Sequence, residues 1–238
     1  STYWAWALWR LDPVVSLPLT AAAMFLLGFA TYHGLIRWVL GAPMLAQIFA
    51  TFGLAIFLRS AAQAIWGVDF HLVKDPLVQG RISLGGLFIG LPQLVASVGA
   101  LLAFVFLNWF ISRTETGLAL QATAQDRQAA SLMGINTERM FALGWGIGAA
   151  CVGVAGALLT IFFYVFPDVG ASFALLAYVT VALGGFGNVP GTLVAGVAVG
   201  VIEVLGGLLI APALKYVAVF VLYLLVVLWR PQGLFGRF

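Results

Sequence analysis

The chain has 238 residues, of which 63% are hydrophobic and 8% are charged, with a formal net charge of +3. Ordinary soluble domains carry roughly 25% charged residues, so this composition excludes a soluble fold, which would lack the charge to cover its surface. The mean hydropathy is +1.10. These values predict an all-α, polytopic transmembrane helical bundle, because a helix satisfies its own backbone polar groups inside a bilayer.

Apolar runs divide the chain into membrane segments, several of which approach the roughly 20 residues that a helix needs to cross a bilayer. The predicted segments are 14–32, 44–66, 85–110, 140–165, 171–187 and 190–229. The last is long enough for two passes, divided at Ala211-Pro212. We therefore predict about six full spans plus residues 171–187, which form either a short span or a re-entrant helix. Glycine pairs spaced by four residues predict close helix contacts, and they are Gly86 with Gly90, Gly144 with Gly148, and Gly196 with Gly200.

One long polar segment, residues 111–139, interrupts this apolar sequence. It holds six of the nineteen charged residues: Arg113, Glu115, Asp126, Arg127, Glu138 and Arg139. A membrane protein with one such segment is expected to use it to contact a soluble partner. From the pattern alone, the alternative is a solvated amphipathic connector between two membrane helices.

Within the polar segment, small residues at Ala129 and Ala130 are expected to let a short helix lie close to a partner surface. Leu132 and Met133 would then fill a shallow pocket on that partner. Gly134 permits a turn or a left-handed helix end, which a residue with a β-carbon resists. The pattern predicts a short helix ending in a glycine cap.

Positive charge in short loops predicts orientation. If the polar segment is cytoplasmic, so are the 33–43 loop and the C-terminal tail. The predicted cytoplasmic side carries Arg37, Arg113, Arg127, Arg139, Arg230 and Arg237. The opposite side carries Arg10, Lys74, Arg81 and Lys215. This excess favours the stated orientation.

Two charged residues lie within apolar runs, where an ionised side chain is costly unless it is paired or hydrated. Glu203 is expected to contact a substrate amine, to anchor a neighbouring helix by a hydrogen bond, or to face another subunit. Arg59 is expected to extend its side chain to the outer interface. His33 and His71 lack metal-ligand spacing, so no metal site is predicted, and no catalytic or phosphate-binding motif is present in the sequence.

Three separated motifs carry a family resemblance. They are Asp126-Arg127-Gln128-Ala129-Ala130 with the following Gly134, residues 183–191 (LGGFGNVPG), and residues 230–237 (RPQGLFGR). In this order they resemble the permeases of branched-chain amino acid ABC importers, specifically the smaller, H-type subunit. Gln128 stands where many members have glutamate in their "EAA" coupling loop. Family members begin with further membrane segments, so the chain is expected to be N-terminally shortened.

The resemblance implies a single transmembrane permease domain over residues 1–238 of a bacterial inner-membrane importer for branched-chain amino acids or related solutes such as urea and amides. It implies four kinds of partner besides lipid: a second permease subunit, two ABC ATPase subunits and an extracytoplasmic substrate-binding protein. The chain itself is expected to be no enzyme, to bind no nucleic acid and to hold no cofactor, since ATP and Mg²⁺ would be bound by the ATPases.

The resemblance also implies two sets of site residues. Those of the ATPase-coupling loop are Gly117, Asp126, Gln128, Ala129, Ala130, Leu132, Met133 and Gly134. Those of the translocation path are Gly184, Gly185, Gly187, Asn188 and Glu203. The alternative function is an ion- or proton-coupled secondary carrier or channel, in which Glu203 and Arg59 handle charge.

Overall fold

The structure is a computed structural model, which describes residues 15–69, 80–84, 87–166, 168–209 and 211–236. The chain divides into two compact units, Ser1–Pro167 and Asp168–Phe238. Helices dominate both units, which confirms the predicted all-α class. The assignment of residues 1–238 to one permease domain stays a prediction.

The first unit contains seven of the helices that the structure describes and one short β-hairpin. In chain order its elements are α1 (Leu17–Thr31), a π-helical turn (Tyr32–Ile36), α2 (Arg37–Val39), α3 (Met44–Trp66), β1 (Arg81–Leu84), β2 (Leu87–Gly90), α4 (Leu91–Arg113), α5 (Glu115–Gln125), α6 (Arg127–Leu132) and α7 (Thr137–Leu159). The strands are antiparallel.

The second unit is built from three apolar helices. In chain order its elements are α8 (Val169–Gly184), α9 (Val189–Leu209), a 3₁₀ turn (Pro212–Leu214) and α10 (Lys215–Trp229). The buried side chains of Val179 and Leu183 from α8 meet Ala195 and Val199 from α9 and Val219 from α10. All three helices therefore share one core.

Five of the described helical segments are long and apolar enough to cross a membrane, namely Leu17–Val39, Met44–Trp66, Leu91–Arg113, Thr137–Leu159 and Val189–Leu209. The apolar helices α8 and α10 are shorter. The prediction for residues 44–66 is confirmed to the residue. The expected second full pass within 190–229 is instead the 15-residue α10, because the chain from Pro212 first forms the 3₁₀ turn.

The segment predicted as a membrane helix from residue 85 begins as the hairpin, and the helix starts only at Leu91. Gly90 has an extended backbone, with φ −70° and ψ 126°. Pro92 lies in the first turn of α4, where its missing N–H costs nothing. The helix boundary therefore falls six residues after the predicted one.

The helices α1 and α7 pack closely through glycines on α7. A β-carbon on Gly146 would lie 2.8 Å from the Phe25 ring, and one on Gly153 would lie 2.8 Å from Cγ of Met24. The predicted pair contributes less, because the space beside Gly148 is open and Gly144 has only an ordinary contact with Leu120.

The pair Gly196 and Gly200 also makes no close helix contact, and Gly90 of the remaining pair does not lie within a helix. Gly196 has an ordinary contact with Thr180, and no atom lies within 4 Å of the β-carbon position of Gly200. Gly90 belongs to β2, and Gly86 lies outside the described residues. Close packing by small residues is thus present, but at different positions from those that the spacing predicts.

Candidate functional site

The polar segment leaves the membrane helix α4 through a tight corner. Thr114 caps α5, because its hydroxyl oxygen accepts a hydrogen bond from the N–H of Gly117 at 3.0 Å. A β-carbon on Gly117 would lie 2.6 Å from Cα of Ile111 and closer still to the carbonyl oxygen of Phe110. The side chain of Gln121 also donates to the Ile111 carbonyl at 2.9 Å. Gly117 is therefore the residue that lets α5 fold back against the end of α4.

Asp126 separates α5 from α6. Its backbone is extended, which ends α5. Its carboxylate oxygen accepts hydrogen bonds from the N–H groups of Gln128 at 2.8 Å and Ala129 at 3.0 Å. This is an aspartate N-cap, and a carboxylate at a helix N-terminus is also stabilised by the helix dipole. The motif that starts at Asp126 therefore forms a turn of the chain followed by the six-residue helix α6.

The short helix ends in the glycine cap that the sequence predicts. Gly134 has φ +82°. Its N–H donates to the carbonyl of Ser131, and the N–H of Ile135 donates to that of Ala130, both at 3.1 Å. These two bonds form a Schellman motif. Asn136 then caps α7 by accepting from the N–H of Arg139 at 3.0 Å.

The exposed and buried residues of α6 lie on different sides of the helix. Leu132 and Met133 are each 83% exposed, and Gln128 and Ala129 are also exposed. Ala130 is only 4% exposed, so it packs against its own chain rather than being open to a partner as the sequence suggested. The residues available to a partner are therefore the apolar pair and the side of α6 that carries Gln128 and Ala129.

Charged residues join the start of α7 to α2 and to α6. Arg37 forms a salt bridge with Glu138 at 3.0 Å, and the guanidinium of Arg127 lies 5.3 Å from the centre of the Phe141 ring. Both side chains of the ion pair are about half exposed, so the pair contributes at most about 1 kcal/mol to stability. Its effect is to set the position of the start of α7 relative to α2.

Replacing Gly134 by alanine is expected to loosen the end of α6. A β-carbon at this position meets no atom within 4 Å, so the cost is the left-handed backbone alone, about 1–2 kcal/mol. Hydrogen exchange of the amides of residues 134 and 135 should accelerate. The control is Gly148→Ala, which has equal space but lies within α7. Equal exchange rates for the two variants at residues 134 and 135 would contradict the assignment.

The glycine turn, residues 184–191, was predicted to line the translocation path, and that role stays a prediction. The structure shows what most of its residues contact. Gly185 and Gly187 have φ of +91° and +82°, which ends α8 and turns the chain into α9. Gly184 lies against the backbone of Thr192. Asn188 donates from its side chain to the carbonyl of Phe235 at 2.9 Å, so the turn also contacts the tail, defined here as residues 230–236.

Glu203 is paired across the hairpin of α9 and α10. Its carboxylate accepts from the ammonium group of Lys215 at 2.8 Å, and the Lys215 side chain also lies over the Tyr216 ring, 4.6 Å from its centre. The side chains of Glu203 and Lys215 are 25% and 37% exposed. Among the three roles expected for Glu203, the geometry favours the anchor to a neighbouring helix.

Breaking this ion pair is expected to destabilise the α9–α10 hairpin. Lys215→Met leaves a partly buried carboxylate without its counter-charge, and the expected cost is about 1–2 kcal/mol, between exposed and buried pairs. Thermal unfolding in detergent measures it. The exchanged pair Glu203→Lys with Lys215→Glu should recover most of the loss. Failure of the exchanged pair to recover stability would argue against mutual pairing.

The pairing of Glu203 with Lys215 was not predicted from the sequence. Lys215 follows Glu203 by twelve residues, with Pro212 between them, a spacing that is compatible with a tight helical hairpin.

His71, Arg10, Lys74 and Arg237 lie outside the described residues. Within the described ranges, no group of three or more His, Cys, Asp or Glu side chains lies close enough to hold a metal ion.

Comparison with known proteins identifies similar permeases. A family model described as "Branched-chain amino acid transport system / permease component" matches residues 1–228. The high-affinity branched-chain amino acid transport system permease protein BraD of Pseudomonas aeruginosa is 32% identical over 241 residues, covering 97% of this chain and 78% of BraD. The corresponding permease LivH is 34% identical in Salmonella typhimurium and 33% in Escherichia coli, each covering 84% of this chain and 67% of LivH. No solved structure matches the chain.

Proposed function

The chain belongs to the family of permease components of branched-chain amino acid transport systems, and from this premise we propose that it is a membrane-spanning permease subunit of an ATP-driven importer. Its substrates are branched-chain amino acids or related small polar solutes such as urea and amides. It lies in the bacterial inner membrane, for which the long apolar helices are suited. It is a transporter subunit rather than an enzyme.

The observation that carries this proposal, beside family membership, is the exposed end of α6. Leu132 and Met133, each 83% exposed, present apolar side chains at the C-terminal end of α6, within the polar segment. Capped helices and a tight corner at Gly117 make the segment a rigid body. Such a body suits contact with a soluble ATPase, which would bind ATP and Mg²⁺ and would move the segment as it closes.

The remaining partners follow from the same proposal. Two ATPase subunits supply the energy, a second permease subunit completes the pathway, and an extracytoplasmic binding protein delivers substrate. ATP-driven closure would shift the pathway between outward-facing and inward-facing states. The secondary carrier is disfavoured, because Glu203 is already paired with Lys215 within one helical hairpin.

Uptake by proteoliposomes tests the proposal. Vesicles that contain the chain, the second permease and both ATPases should accumulate leucine when binding protein and ATP are supplied. ADP in place of ATP should abolish accumulation. An imposed proton or sodium gradient without ATP should give none. Uptake that follows the ion gradient and ignores ATP would replace this proposal by the secondary carrier.

A further inference from the structure

The tail is hydrogen-bonded to the ends of the helices beside it. The N–H of Leu234 donates to the carbonyl of Leu183 at 2.7 Å, and this carbonyl belongs to the last turn of α8. The side chain of Asn188 donates to the carbonyl of Phe235 at 2.9 Å. Two of the three motifs that the sequence singled out, although far apart along the chain, therefore form one contact.

Asn188 has two roles in this contact. The oxygen of its side chain accepts a hydrogen bond from the N–H of Gly191 at 2.9 Å, which caps the start of α9. The nitrogen of the same side chain donates to the tail. An asparagine is well suited to this arrangement, because one side chain supplies both an acceptor and a donor. Aspartate has no amide donor, and serine is too short to place two separated groups.

Glycines make the approach of the two backbones possible. A β-carbon on Gly233 would lie 2.5 Å from the carbonyl oxygen of Ala182, and one on Gly185 would lie 2.5 Å from the nitrogen of Gly236. A β-carbon on Gly191 would lie 2.9 Å from Cβ of Phe235. The fit therefore depends on glycines in both motifs, and Gly233 also has φ +85°.

These contacts join three helix ends. The turn connects α8 to α9, and the tail continues from the end of α10 at Trp229. We propose that Asn188 and the tail form a clasp, defined as residues 183–191 with 230–236, which makes α8, α9 and α10 move as one body during transport. Asn188 is then a positioning residue: it contacts no reacting group, and it acts through the helices that it joins.

The functional consequence rests on the proposed function. An importer converts closure of its ATPases into a rearrangement of helices. A movement imposed on one helix reaches its neighbours only if the helices stay packed together. The shared core of the second unit resists separation of the helices along their length, whereas the clasp resists fraying at the end where the turn and the tail meet. Opening the clasp should therefore leave ATP hydrolysis in place and reduce the amount of substrate imported per ATP.

The test compares three variants in the reconstituted complex. Asn188→Ala removes both side-chain hydrogen bonds, and Gly233→Ala forces the tail away from α8. Gly67→Ala is the matched control, since Gly67 also has a left-handed backbone, φ +79° against +85°, and no atom within 4 Å of its β-carbon position, and it lies at the end of α3, outside the clasp. Hydrogen exchange of the Leu234 amide reports the clasp, and leucine imported per ATP hydrolysed reports coupling.

We expect exchange at Leu234 to accelerate by about tenfold or more in both clasp variants, on the scale of lost hydrogen bonds, and to stay unchanged in Gly67→Ala. Import per ATP should fall several-fold in the clasp variants and stay near the unsubstituted value in the control. The ratio separates coupling from simple loss of protein, because hydrolysis and import are counted in the same vesicles. Gly233→Ala and Asn188→Ala change different parts of the clasp. If one variant does not assemble into the complex, the other still tests the proposal.

Two results would overturn the clasp. One is exchange at Leu234 that stays as slow in both variants as in the unsubstituted chain, which would show that Asn188 and Gly233 do not hold the tail in place. The other is released tails with unchanged import per ATP, which would show that the contact does not serve coupling. By contrast, an unsubstituted complex that shows no ATP-driven import would refute the proposed function itself, independently of the exchange result.

Discussion

Alanine at position 117 is expected to be the most damaging single substitution in the polar segment. The added β-carbon would lie 2.6 Å from both Cα and the carbonyl oxygen of Ile111, and closer to the carbonyl oxygen of Phe110. All three are backbone atoms, so no side chain can rotate away to relieve the clash. We expect a loss of about 3 kcal/mol, at the upper end of overpacking costs.

The expected measurements are a lower thermal unfolding temperature of the purified protein and a loss of ATP-driven uptake. Gly156→Ala provides the control, because that glycine lies within α7 with no atom within 4 Å of its β-carbon position. Alanine there should be neutral or stabilising, since it has the higher helix propensity. If Gly117→Ala unfolds at the same temperature as Gly156→Ala, the tight corner does not exist.

The second large effect is expected from Leu132→Asp combined with Met133→Asp. Both side chains are 83% exposed, so the fold should tolerate aspartate with little change in stability. Binding of the ATPase subunits should weaken by about 30-fold or more, because truncation or charging of a central apolar contact costs roughly 2 kcal/mol or more. Uptake at limiting ATPase concentration should fall accordingly.

The measurement is titration of purified ATPase onto the permease in lipid nanodiscs. The control is Tyr164→Asp, an aromatic side chain that is 56% exposed and follows the end of α7 at Leu159, at the opposite end of that helix from the polar segment. It should bind ATPase as the unsubstituted chain does. Unaltered affinity in the Leu132/Met133 variant, together with its normal thermal stability, would show that the ATPase binds elsewhere.

Features that depend on residues close in sequence were predictable. Gly134 as a left-handed helix end follows from the preference of that backbone for glycine. The apolar run 44–66 predicts α3 to the residue, because the run is bounded by Pro43 and Gly67, which limit the helix at each end.

Features that depend on distant residues were not predictable from pattern alone. The amphipathic pattern does not tell which side of α6 meets the rest of the chain, so the burial of Ala130 was not predictable. The ion pair of Glu203 and the docking of the tail require knowledge of which helix ends lie together. The hairpin before α4 was hidden because apolar strands and apolar helices have the same composition over short runs.

The short helices of the second unit have a consequence for the surrounding lipid. The 16 residues of α8 and the 15 of α10 extend about 24 Å and 22 Å at 1.5 Å per residue, less than the roughly 30 Å hydrocarbon thickness of an average bilayer. Where these helices cross the bilayer, the lipids that border them must compress or the helix ends must draw polar groups inward, at a fraction of a kcal/mol per Å. Acyl chain length therefore becomes a variable that shifts the energy of this part of the permease without any change in its sequence.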